Sequence, residues 1–222
     1  MKKGILRILF TNARVQYFLF TIGLAMPCFF MAYTEPLAWY SRILQVVFGV
    51  SFFLSVMAVK RRPSRSLYIN FIFAFFGCFQ LALLYLYGNS PVAVDMFLNT
   101  ISTNANEAGE LLGNLLLGVI MSCGLYISIL LLGLASWHRQ VKLDKVWHRH
   151  FRRMVALPLF VVSTSAAVLL QLFTPFRISV DLYPVNVTYN FGVAIYRFFQ
   201  LKNYKYNTPN FMFESQATHE SD

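Results

Sequence analysis

A polar, acid-bearing segment at residues 95–114 interrupts a chain that is otherwise largely apolar. If this segment is one helix, its carboxylate and amide side chains fall on one stripe and its apolar side chains on the opposite side. A carboxylate on such a stripe suits an ammonium group, while amide and hydroxyl groups can donate hydrogen bonds to phosphate or ester oxygens. The polar stripe consists of Asp95, Asn99, Thr103, Asn106, Glu107, Glu110 and Asn114.

Three residues of this stripe recur at every fourth position, which aligns their side chains along one helix face. They are Asn99, Thr103 and Glu107, and together they can contact a single lipid headgroup. Asp95 and Glu110 are further candidates on the same face. The same pattern also fits the solvated face of an ordinary interfacial helix, and the residues alone leave both interpretations open.

The elements that position this stripe are predicted to be membrane helices. The chain has 222 residues, of which 57% are hydrophobic, and a bilayer-crossing helix needs about 20 mainly apolar residues. No Asp, Glu or Lys lies in the centre of any of the qualifying runs, as the cost of a charge in hydrocarbon requires. The sequence therefore predicts an all-α membrane protein with five transmembrane helices at 15–34, 42–59, 68–87, 111–136 and 154–173.

The distribution of basic residues predicts the orientation of these helices. Most of the 19 Lys and Arg residues lie in the N-terminal arm and in the second and fourth connections, whereas residues 88–110 contain none. Because short cytoplasmic loops retain basic residues, we expect a cytoplasmic N-terminus and a periplasmic C-terminus. Charge spread over three loops also argues against a nucleic-acid partner, which needs a contiguous basic patch.

The sequence contains no recognisable catalytic or metal-binding motif: HExxH, GxSxG, a phosphate-binding glycine loop and zinc-spaced Cys or His clusters are all missing. Cys28, Cys78 and Cys123 each lie in a predicted span, and we interpret them as small buried hydrophobic residues. His148 and His150 lie in a basic loop and are predicted to face solvent or headgroups. We therefore predict no catalytic residue and no metal ligand.

The composition changes after Phe173, where the chain becomes rich in Tyr, Asn and Pro. Prolines at 175, 184 and 209 argue against one long helix, although residues 189–201 can form a short amphipathic helix at the membrane interface. We expect three regions: the membrane domain at 1–173, a periplasmic interfacial linker at 174–213 and a disordered tail at 214–222.

The run Asn99-x3-Thr103-x3-Glu107-Ala108 resembles part of the N-terminal membrane domain of bacterial phosphoethanolamine transferases. This family includes lipid A modifying enzymes and mobile colistin-resistance enzymes. In both cases the run follows an Asp-Met pair in the second external loop of a five-span unit. Residues 183–189 are similar to the family's exit from its fifth span, so the resemblance covers nearly the whole chain.

The resemblance implies a location in the bacterial inner membrane and a donor-lipid site for phosphatidylethanolamine at Asn99, Thr103 and Glu107, with Glu110 beside them. In this family a threonine nucleophile and zinc belong to a following periplasmic domain, which passes phosphoethanolamine to lipid A or a related glycan phosphate. These 222 residues contain no counterpart of that nucleophile or of the zinc ligands. We therefore expect a truncated or split product that holds the donor lipid without reacting, with zinc only in the missing domain.

Two other classes of function remain open at this point. The chain can be a non-catalytic membrane anchor, or an interaction protein for a separate periplasmic partner. It can also be a small transporter or channel subunit, but the span centres lack the ionisable groups that coupled pathways usually carry.

Overall fold

The computed structural model describes residues 10–34, 37–87, 93–102 and 105–207, and gives the backbone alone at 34, 86–87, 99–102, 105–116 and 202–207. Every regular element in these ranges is helical. In chain order the helices are α1 (Ala13–Thr34), α2 (Trp39–Met57), α3 (Pro63–Ile69), α4 (Phe71–Tyr87), α5 (Val94–Ser102), α6 (Ala105–His138), α7 (Lys145–Phe151), α8 (Leu157–Phe173), α9 (Ile178–Asp181) and α10 (Tyr183–Asn207). A π-helical turn, Arg152–Ala156, joins α7 to α8.

The structure is that of an all-helical, multi-pass membrane protein. Among the described residues, four helical stretches are long and apolar enough to cross a membrane: Ala13–Tyr33, Trp39–Met57, Leu117–His138 and Lys145–Phe173. Helices α3 and α4 pass the same test only as a pair, and they meet at a bend of 68°. The described chain thus has four candidate spans, or five if this bent pair crosses as one.

The bend between α3 and α4 lies at Asn70, where the sequence predicts an uninterrupted span over 68–87. The side-chain Nδ2 of Asn70 donates a hydrogen bond to the carbonyl oxygen of Ser66 at 2.7 Å. Asn side chains compete in this way with the regular backbone pattern and favour helix ends. A polar residue next to the apolar run therefore ends α3 before α4 begins.

Helix α1 is central to the bundle and contacts α2, α3, α4, α6 and α10. Buried polar pairs fasten neighbouring helices: the Ser136 hydroxyl donates to Oε1 of Gln16 at 2.6 Å, and the hydroxyls of Ser51 and Ser163 lie 2.7 Å apart. Such side-chain hydrogen bonds are a common means of association between membrane helices, since lipid removes most of the hydrophobic driving force.

The π turn between α7 and α8 has a local cause in Pro158. Its ring has no N–H to return to the carbonyl of Met154 four residues earlier, so the regular ladder fails there. The N–H of Leu157 bonds instead to the carbonyl of Arg152. The hydroxyl of Ser55 on α2 donates to the carbonyl of Ala156 at 2.9 Å and ties this turn to the bundle.

Helix α10 runs for 25 residues and is much longer than the helix expected at 189–201. Pro184 does not prevent it, because this residue lies in the first turn, where a missing N–H costs nothing. The start of α10 is inserted into the bundle: Leu182, Tyr183 and Val187 are fully buried. The region after Phe173 is therefore partly integrated into the core.

Candidate functional site

The short helix α5 packs on the bundle through the buried ring of Phe97, and Val94, Met96 and Leu98 pack against the same core. Phe97 is 5% exposed, and its ring centroid lies 5.4 Å from that of Phe79 and 6.0 Å from that of Phe76, both on α4. The ring of Phe191 on α10 is 5.5 Å away. Edge-to-face and stacked rings at these distances attract each other. Phe97 therefore holds α5 against both α4 and α10.

An ion pair joins the outer faces of α5 and α10. Oδ1 of Asp95 lies 3.5 Å from Nη1 of Arg197, and the two side chains are 80% and 52% exposed. A pair this exposed contributes little to stability, because water screens the attraction. Both charges therefore remain accessible to a zwitterionic ligand, which carries a positive and a negative group.

An open cleft of about 520 Å³ lies beside this ion pair. We call it the α5–α10 cleft, and its lining consists of Leu98, Arg197, Gln200 and Leu201. The guanidinium of Arg197 provides several donors in a planar fork that matches phosphate oxygens. The two leucines provide an apolar wall. The cleft thus combines a cation, a nearby carboxylate and an apolar surface.

The predicted ligands lie on the two helices nearest in sequence to this cleft. Asn99 is on α5, one turn after Asp95, and Glu107 and Glu110 are in the first two turns of α6. The side chains of Asn99, Glu107 and Glu110, and the whole of Thr103, lie outside the described residues. Their contact with a headgroup stays a prediction, and Asp95 is the stripe residue whose surroundings the structure defines.

The polar stripe is divided between two helices, where the sequence suggests a single one. Helix α5 ends at Ser102 and α6 begins at Ala105. Residues 103 and 104 between them lie outside the described part of the chain. The predicted stripe therefore includes residues of the short helix α5 and of the first turns of α6.

Arg197 is the functional candidate that sequence reasoning missed. It continues a line of inward-facing residues on α10 at helical spacing, after Val187, Phe191 and Ala194. A basic residue at the end of an apolar helical line is the signal that could have revealed it. The expected helix at 189–201 already contains Phe191, Ala194 and Arg197, but the sequence does not show which element that apolar line packs against.

The start of α10 is held by a side chain from another helix. The backbone N–H of Tyr183 donates to Oε1 of Gln45 at 3.1 Å, and Gln45 is fully buried on α2. The first N–H groups of a helix lack partners within the helix, so this bond satisfies one of them. Gln45 thereby fixes the depth at which α10 enters the bundle.

The bundle interior also brings together thiols and hydroxyls that are far apart in sequence. The sulfur atoms of Cys78 on α4 and Cys123 on α6 lie 3.5 Å apart. Within the described residues, the buried hydroxyls of Tyr126 and Tyr183 have no hydrogen-bond partner. The sequence predicts the cysteines to be small buried hydrophobic residues, and the contact between two of them arises only from tertiary packing.

The described residues contain no group of three or more His, Cys, Asp or Glu side chains that could hold a metal ion. No protein-family model, curated protein or solved structure matches this chain. What the site can do therefore follows from its own charges and shape.

Proposed function

We propose that this chain binds phosphatidylethanolamine in the α5–α10 cleft and serves as the membrane domain of a phosphoethanolamine transferase. The observation that carries this proposal is the exposed pair of Asp95 and Arg197, with 3.5 Å between their charged atoms. The headgroup of this lipid carries a phosphate and a primary ammonium. Arg197 would bind the phosphate through charge-assisted hydrogen bonds, and Asp95 would accept from the ammonium.

The apolar wall of the cleft supports a lipid over a soluble zwitterion. Leu98 on α5 and Leu201 on α10 lie beside Arg197 and suit the glycerol and the first methylenes of the acyl chains. A zwitterion that lacks an apolar group would leave this wall unused. Displacement of the exposed Asp95–Arg197 pair costs little, because solvent already screens it.

Transfer of phosphoethanolamine is proposed from the resemblance of the polar stripe to the transferase family. Under this proposal Asn99, Thr103, Glu107 and Glu110 complete the donor site beside Asp95. The nucleophile, the zinc and the lipid A or glycan phosphate acceptor belong to a periplasmic catalytic domain. The role of this chain is to hold and present the donor lipid.

The same proposal includes the topology and location. We propose five crossings in the bacterial inner membrane, with the bent α3–α4 pair as the third, a cytoplasmic N-terminus and a periplasmic C-terminus. The basic connections support this arrangement because they meet at one end of the bundle: the N–H of Leu143 donates to the carbonyl of Arg61 at 2.8 Å. Basic clusters of this kind are retained on the cytoplasmic side.

Native mass spectrometry of the detergent-solubilised chain tests the lipid specificity directly. We expect phosphatidylethanolamine to be retained more strongly than phosphatidylcholine with the same acyl chains, because a trimethylated ammonium has no N–H to donate to Asp95. Arg197→Gln should lower phosphatidylethanolamine affinity about tenfold, as loss of a charged hydrogen bond does. The matched control is Arg177→Gln, because Arg177 is also exposed but lies outside the cleft lining. Equal retention of both lipids, or equal affinity in Arg197→Gln and the wild type, contradicts the binding proposal.

The transferase assignment needs a separate measurement. Labelled phosphoethanolamine transfer to lipid A is compared in cells lacking related transferases, with this chain alone and with the chain fused to a family catalytic domain. Transfer only with the fusion supports a donor-holding membrane domain. Lipid binding without transfer by a folded fusion contradicts the transferase role and favours an anchor or interaction protein.

A further inference from the structure

One end of the bundle carries many basic residues, and we call it the basic end. It is formed by the start of α1, the α2–α3 connection and the α6–α7 connection. Several of its cations are already engaged within the protein. Arg14 lies over the ring of Trp147, Arg65 over Trp137 and Arg139 over Phe10, while Arg61 donates to the carbonyl of Leu143.

Three other cations at this end have no such engagement. Lys145, Arg149 and Arg153 are exposed, and their side chains have no hydrogen-bond, ion-pair or ring partner in the described part of the chain. They are spaced by four residues along α7 and the π turn. Together with His150 they line an open cleft of about 470 Å³, which we call the basic cleft.

No described carboxylate lines the basic cleft. The acidic side chains that the structure describes are Asp95, Asp144 and Asp181. Asp95 pairs with Arg197, and Asp181 accepts from the backbone N–H of Arg177. Asp144 caps α7, where Oδ2 accepts from the backbone N–H groups of Val146 and Trp147 at 2.9 Å. The bond from Trp147 lowers the pKa of Asp144, so the capping carboxylate stays ionised.

An exposed apolar line begins in the basic cleft and continues along α8. Met154 lines the cleft and is 66% exposed, and Val161 follows seven residues later, on the same helix face, with 60% exposure. Leu157 lies between them, and Val168 extends the line by two more turns. Val161 and Val168 also line a second, largely apolar cleft of about 470 Å³. The basic cleft and the second, apolar cleft are thus connected by exposed apolar residues along one face of a candidate membrane span.

We infer that the basic cleft is a binding site for an anionic phospholipid. Its phosphate would be held by Arg149 and Arg153, with Lys145 as a third donor, and its acyl chains would lie along Met154 and Val161. A membrane lipid is the occupant favoured over free phosphate, because the cations are continuous with an apolar line that a soluble anion would not use. This site is at the basic end and does not depend on the proposed function of the α5–α10 cleft.

The test compares phosphatidylglycerol with phosphatidylcholine of the same acyl chains by native mass spectrometry of the full chain in neutral detergent. We expect the wild type to retain phosphatidylglycerol selectively. The double variant Arg149→Gln/Arg153→Gln should lose at least about tenfold in affinity, since it removes two charged hydrogen-bond donors to phosphate. Arg149→Lys/Arg153→Lys keeps both charges and should retain most of the affinity.

The matched control is Arg62→Gln/Arg65→Gln, which removes the same net charge from the same end but outside the cleft. It should change the phosphatidylglycerol affinity less than threefold. An equal loss in both double variants overturns the proposal, because it would mean that diffuse charge alone attracts the lipid. Displacement of the lipid by millimolar glycerol phosphate also overturns it, since the acyl chains would then contribute nothing. Unchanged retention in the folded Arg149→Gln/Arg153→Gln protein overturns it as well.

Discussion

Replacement of Phe97 by alanine should release α5 from the bundle. Within the described residues its ring contacts those of Phe76, Phe79 and Phe191, at centroid distances of 6.0, 5.4 and 5.5 Å. At about 0.5–1.5 kcal/mol for each aromatic pair, the loss lies between about 1.5 and 4.5 kcal/mol. We expect about 2 kcal/mol, because lipid can cover part of the surface that the ring leaves behind.

A loss of about 2 kcal/mol corresponds to about thirtyfold more frequent opening of α5. Since α5 has only nine residues, it cannot persist as an isolated helix once it detaches. Hydrogen exchange of the purified chain measures this opening: protection of residues 94–102 should fall about thirtyfold, while α1 and α2 should be unaffected. Phosphatidylethanolamine retention should fall in parallel, because Asp95 would leave Arg197.

The control for this experiment is Phe75→Ala, which removes a ring of the same size. Phe75 is 50% exposed and has one ring neighbour, Phe76, at 6.0 Å. It should leave exchange in α5 almost unchanged. If Phe97→Ala also leaves the exchange of α5 unchanged, the claim that the ring of Phe97 holds this helix is wrong.

Two further predictions test the packing of α4 against α6. Oxidation with copper phenanthroline should join Cys78 to Cys123, so that the number of free thiols in the denatured chain falls from three to one; three remaining thiols would show that the two sulfurs are not adjacent. Gly77→Ala should destabilise the bundle by about 1–3 kcal/mol, because the Tyr126 hydroxyl occupies the place of the new Cβ. Tyr126→Phe should remove only part of that cost, because the ring carbon Cζ of this residue also lies 2.6 Å from the new Cβ. Thermal unfolding of the four proteins would show additive effects if the two residues are not in contact.

The apolar runs of the sequence were sufficient to locate most of the membrane helices. The runs at 15–34 and 42–59 correspond to α1 and α2, with ends that differ by no more than three residues. The run at 68–87 corresponds to α4, which begins at Phe71, but hydropathy did not indicate the bend at Asn70 or the preceding helix α3. The predicted span at 154–173 excluded the basic residues before it. In the structure those residues form α7, which continues through the π turn into α8.

The candidate site was only partly predictable, because it depends on contacts between distant elements. Asp95 was identified from its place on a polar stripe, but Arg197 lies about a hundred residues later, and nothing in the sequence pairs the expected helix at 189–201 with α5. The contact between Cys78 and Cys123 likewise joins residues that are far apart in sequence. Periodicity reveals which face of a helix is apolar, whereas the partner of that face is set by packing across the whole bundle.

The geometry of the α5–α10 cleft must be set by its apolar supports and not by its charges. The ion pair of Asp95 and Arg197 is too exposed to hold two helices together. The helices are instead positioned by Phe97 and Phe191 beneath the pair, and by the bond from the N–H of Tyr183 to Gln45 at the start of α10. This division leaves the charges free to exchange their mutual contact for a ligand without loosening the fold. A zwitterionic headgroup can therefore enter at low cost, which is the property that a donor-lipid site requires.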